Sequence, residues 1–130
     1  MTAGVLLVSH EGIAQAMLDT ATRVWGKLPL PTAVLQIEFD VNLQQATERA
    51  QKMISELDSG AGVLILVDIK GATPSNILNS VEGDIRLVTG LNLPMLFRIY
   101  NYADKNIDQL LELAIEGGQK GIMQHRKQAT

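Results

Sequence analysis

The sequence predicts an α/β fold in a single domain: an open, mainly parallel sheet with helices on both faces. Three observations lead there. Two continuous apolar runs, Val5-Leu6-Leu7-Val8 and Val63-Leu64-Ile65-Leu66-Val67, read as strands buried on both faces. Strand-like runs alternate with helix-period segments of about 10 to 15 residues, the pattern of parallel β-α-β units. Each buried run also stops abruptly at a polar residue with chemistry of its own, His10 after the first and Asp68 after the third strand.

The elements follow in order. A first strand spans Gly4 to Ser9. Ile13, Met17, Ala21 and Val24 then recur at helical spacing, and Gly26 ends that helix. Pro29 and Pro31 turn the chain into a second strand, Thr32 to Phe39. There Leu35, Ile37 and Phe39 alternate with Gln36 and Glu38, as on an edge strand. Asn42, with Gln45 three residues on, caps a second helix whose apolar face is Leu43, Ala46, Ala50, Met53, Ile54 and Leu57. Ser59-Gly60 closes it.

The third strand, Gly62 to Val67, leads through Asp68 into Gly71-Ala72-Thr73-Pro74-Ser75-Asn76. Thr73 reads as a cap and Pro74 as a first-turn residue of a short helix reaching Val81. A fourth strand runs Ile85 to Thr89. Asn92-Leu93-Pro94 starts a helix near Met95. The last helix carries Ile107, Leu110, Leu111, Ala114 and Ile115, with Gly117-Gly118 as its stop. Gly121 to His125 reads as a short C-terminal strand able to pair antiparallel with the strand 4 edge, in its own subunit or a twin.

Right-handed crossovers and an edge position for strand 2 give the order 2-1-3-4. Strands 1 and 3 are then neighbours at the point where the connections diverge. Ligand sites in such sheets form there, beyond the carboxyl ends of the strands. His10 and Asp68 end those two strands.

Composition narrows the function classes. The chain has 130 residues, 46% hydrophobic and 19% charged, enough for one packed core. A formal charge of -3 argues against a general nucleic-acid binder. No apolar run approaches the roughly 18 residues of a membrane span, and no leader-like segment precedes the first strand. The absence of Cys excludes disulfides, Cys-based zinc sites and thiol nucleophiles, and fits a cytoplasmic protein. No metal site and no cofactor are expected. No P-loop lysine motif or dinucleotide fingerprint is present.

The bland alternatives stand beside the sharp ones. His10 can simply cap a helix start, and Asp68 can simply cap its loop. A receiver-type phosphoacceptor aspartate lacks the acidic pair expected after strand 1. A histidine with an orienting carboxylate suits reversible phosphoryl transfer, because one ring nitrogen attacks while the other donates its N–H. Gly71, Ala72, Thr73 and Ser75 offer backbone N–H groups and hydroxyls suited to phosphate.

These pieces, Val8-Ser9-His10 with Gly12 and Ala14, Leu66-Val67-Asp68 with Gly71 to Asn76, Val88 to Leu96, and Glu116-Gly117-Gly118 to Gly121-Ile122, occur in order over nearly the whole chain. Together they resemble the IIA phosphocarrier domain of the mannose-type sugar phosphotransferase system (PTS). The resemblance implies that His10 takes a phosphoryl group from the phosphocarrier protein HPr, with Asp68 as its partner, and passes it to a IIB component. It also implies a homodimer in which the C-terminal strand crosses between subunits. Glu11, Lys70 and Ala72 depart from the family's usual small residue at 11 and its glycine pair near 71. The alternative is a regulatory phosphoprotein that uses the same phosphorylation as a signal. The third reading is a small-ligand module with no phosphorylation.

Overall fold

A computed structural model describes residues 1–129. The strands are β1 (Gly4–His10), β2 (Thr32–Ile37), β3 (Val63–Val67) and β4 (Ile85–Thr89). The helices are α1 (Ile13–Trp25), α2 (Leu43–Leu57), α3 (Ala72–Leu78), α4 (Leu93–Asn101) and α5 (Ile107–Lys120). All strand pairs are parallel, in the order β2-β1-β3-β4. The expected sheet and order are therefore observed.

Alternation along β1 splits the core in two. Val5 and Leu7, with Leu64 and Leu66, meet α1, α4 and α5 through Ala14, Ala21, Leu96, Ile99, Leu110 and Ala114. Leu6 and Val8, with Ile65 and Val67, meet α2 and α3 through Ala46, Ala50, Ile54 and Ile77. Burying each Val, Leu or Ile among them stabilises the fold by about 1.5–3 kcal/mol relative to leaving it in water. Because both faces are covered, β1 from Val5 to Val8 and all of β3 must be apolar, as their sequences are.

Register then places the chemistry. Val8 pairs with Val67 as the last β1–β3 rung, and the Asp68 N–H extends the ladder to the Val8 carbonyl at 3.0 Å. Asp68 thus leaves the sheet beside His10, which pairs on its other side with Ile37 of β2.

Several boundaries differ from the sequence expectation. β1 continues to His10, and β2 stops at Ile37, leaving Phe39 fully exposed. α3 is capped by Gly71, not Thr73, and ends at Leu78 instead of Val81. Thr73 and Pro74 lie inside its first turn. Proline is tolerated there because the first i→i−4 bond is donated by Ser75, to Gly71 O at 3.2 Å. Asn42 and Asn92 do cap their helices, accepting from the Gln45 and Met95 N–H groups at 3.0 and 2.9 Å.

The largest correction is α5, which passes straight through Gly117-Gly118 to Lys120. These glycines are not a stop signal; they permit close packing of α4 on α5. A Cβ at Gly117 would lie 2.5 Å from Arg98 Cβ, and one at Gly118 2.9 Å from Met95 Cε. Beyond Gly121, residues 122–129 form no strand in the single chain.

Candidate functional site

The site begins with the end of β1. His10 N–H donates to Asp68 Oδ2 at 2.9 Å, and its ring Nδ1 lies 3.0 Å from the same oxygen. A carboxylate only accepts, so Nδ1 carries the proton and donates. In the neutral ring that leaves Nε2 with its lone pair. The His10 side chain is 52% exposed and that of Asp68 only 9%, so an open ring stands beside a sheltered carboxylate.

Asp68 is held on both oxygens, because the Ile69 N–H donates to Oδ1 at 2.8 Å. Burial pushes the Asp68 pKa up. The hydrogen bonds from the His10 N–H, the His10 ring and the Ile69 N–H outweigh that and hold it below the ordinary carboxylate value. The group is an anion suited to stabilising positive charge on the ring.

The other expected residues sit on the same edge. Gly71 caps α3 three residues after Asp68, Ala72 and Thr73 open the helix, and Ser75 closes its first turn. Ala72 is exposed; Gly71, Thr73 and Ser75 are half-buried. The structure brings His10 and Asp68 into direct contact and places this loop beside them in the chain.

Two site neighbours escaped the sequence reading. Ser9 Oγ donates to the His10 carbonyl and accepts from the Ala14 N–H, both at 2.8 Å. Gln36 Oε1 accepts from the Gly12 N–H at 3.0 Å. A lone serine at the end of an otherwise apolar strand was the available signal for the first. Gln36 read only as the wet half of an alternating strand.

Among the described residues no group of three or more His, Asp and Glu is placed to hold a metal, and no helix is long and apolar enough to cross a membrane.

Fold and site define a class: a parallel α/β domain that presents an oriented histidine at the switch point of its sheet. Residues 4–115 match the family described as "PTS system fructose IIA component", the mannose-type EIIA family. The chain is 30% identical over 129 residues to the PTS system mannose-specific EIIAB component of Escherichia coli (strain K12), an alignment spanning 94% of this chain and 39% of that protein. The mannose/sorbose specific IIA subunit from Enterococcus faecalis has a TM-score of 0.84 at 24% identity, covering 100% of this chain and 99% of its own, and so supports the fold. The PTS IIA protein associated with the fucose utilization operon from Streptococcus pneumoniae has a TM-score of 0.79 at 26% identity, with 95% and 96% of the two chains covered. The chain belongs to the mannose family of PTS EIIA domains. It spans 39% of the length of the Escherichia coli EIIAB relative.

Proposed function

We propose that this chain is a cytoplasmic phosphocarrier that accepts a phosphoryl group from HPr on His10 and passes it to a IIB component. The observation that carries the reading is the 3.0 Å contact between His10 Nδ1 and Asp68 Oδ2. It fixes the tautomer in which Nε2 attacks phosphorus. The Nε2–P bond forms as the donor's bond to phosphorus breaks, and the proton stays on Nδ1. The ring becomes cationic, and the Asp68 carboxylate stabilises it. Delivery to IIB reverses the step. The chemistry is chiefly positioning and charge stabilisation, so an exposed ring on a rigid sheet edge suffices.

In this reading the N–H groups of Gly71, Ala72 and Thr73 and the hydroxyls of Thr73 and Ser75 receive the phosphoryl oxygens. Two copies form a homodimer in which the C-terminal segment of each covers the β4 edge of the other.

Phosphoenolpyruvate, enzyme I and HPr should load one phosphate onto the chain, acid-labile and base-stable. His10→Ala should abolish loading while circular dichroism remains that of the folded domain. Full labelling of a folded His10→Ala chain would sink the assignment. Discharge by an added IIB protein separates a transport relay from a phosphorylation signal with no sugar route.

A further inference from the structure

We propose that Ser9 and Gln36 are positioning residues that clamp the turn carrying His10 and thereby aim its imidazole at Asp68; the proposal rests on the reading of His10 as the phosphoryl acceptor. The turn His10-Glu11-Gly12 is short, and Gly12, at φ 85°, caps α1 with no side chain of its own. A left-handed glycine is conformationally permissive, so the turn needs fastening from outside.

Ser9 fastens both of its ends. Its hydroxyl accepts from the Ala14 N–H in the first turn of α1 and donates to the His10 carbonyl, each at 2.8 Å. Ser9 is only 1% exposed, and its one proton and two lone pairs serve both bonds. Gln36 fastens the middle. It is the register partner of Ser9 across β1–β2, and its Oε1 takes the Gly12 N–H at 3.0 Å. An ordinary helix cap would need only the bond to Ala14. The further bonds, to the His10 carbonyl and the Gly12 N–H, act on the turn itself.

The clamp is tested on Ser9→Ala, Ser9→Thr, Gln36→Met and Gln36→Glu. Alanine and methionine remove the hydrogen-bonding atoms at near-constant shape, while threonine and glutamate keep an acceptor in place. Long-range ¹H–¹⁵N spectra report which ring nitrogen of His10 bears the proton. His125, the one other histidine and exposed in the tail, serves as the unclamped reference in each spectrum.

The wild-type ring should be mainly Nδ1–H. Ser9→Ala and Gln36→Met should shift it toward the His125 mixture and slow transfer about 10- to 100-fold through kcat, with the KM for phosphorylated HPr unchanged. Ser9→Thr and Gln36→Glu should recover most of both. Ring populations like wild type in both Ser9→Ala and Gln36→Met would overturn the proposal. So would a loss confined to KM, which would put the two residues in donor docking. A wild-type chain that takes no phosphate would instead overturn the phosphocarrier reading, and the ring measurement would still decide the clamp.

Discussion

In β1 every residue from Gly4 to Ser9 is buried, as is all of β3, whereas in β4 only Val88 is. The centre of the sheet has helices on both faces and a neighbour on both edges. The flank has neither in full: Leu87 is 46% exposed. Beside it a cavity of about 220 Å³ lies between the end of β4 and α5, lined by Val88, Asn92, Met95, Ile115 and Ile122 among others. The contrast shows why the site stands where it does. His10 and Asp68 leave strands that are buried and paired side by side, which brings the carboxylate within 3.0 Å of the ring. The β4 flank has no such anchoring, and it is where we place assembly.

The sharpest way to break this contrast is at the carboxylate. Asp68→Asn keeps the shape but removes the charge that we propose stabilises the phosphorylated ring. Transfer should fall about 10²- to 10⁴-fold with the fold retained. An unchanged rate in both directions would reduce Asp68 to a loop cap and make the centre no more chemical than the flank.

Packing offers the next test. Leu66→Ala, in the buried middle of β3, should cost about 2–5 kcal/mol in urea unfolding. Leu87→Ala on β4 should stay within about 0.5 kcal/mol. Equal costs would mean that β4 is buried in solution by something beyond the single chain, which would itself point to a dimer.

Assembly is probed more directly by ending the chain after Gly121. Sedimentation should show a dimer for the intact chain at micromolar concentration and a weaker dimer for the shortened one. An unaltered dimer would move the interface from the β4 edge to the helices.

The smallest effects come with pH. Buried Tyr100 has its pKa pushed up to about 12 by burial, against a smaller opposing effect of its 2.7 Å hydrogen bond with Thr32. A raised folded-state value means stability that is complete below about 10 and lost as pH rises through about 12. Asp68 works in the other direction: its lowered value stabilises the fold above the unfolded carboxylate range and ceases to as pH falls through the folded-state value. Thermal melts should therefore fall off at both ends of this range. Tyr100→Phe should remove the alkaline slope, and Asp68→Asn should reduce the acid one.

The same contrast governs what could be read from sequence. The unbroken apolar runs of β1 and β3 and the asparagine caps are local patterns that hold in the fold, and the alternation in β2 holds as far as Ile37. His10 and Asp68 were legible as a pair because each ends a buried apolar run and the expected strand order sets those two ends side by side. Gly117-Gly118 misled because glycine has two uses. It ends helices, and it lets helices touch, and only the nearness of Arg98 and Met95 decides between them. Thr73 lost the cap to Gly71 because the backbone was already extended there, with φ at -159°. Ser9 and Gln36 were invisible as a pair because their bonds join residues that only strand register brings together.

The His10–Asp68 hydrogen bonds span 58 positions of sequence and close only when β1 and β3 lie side by side. No local fragment contains the site, and no copy in which β1 and β3 are unpaired can complete it. A relay built on this histidine therefore carries its own quality control. Under the proposed phosphocarrier role, a misfolded or nascent chain lacks the oriented ring and should take no phosphate.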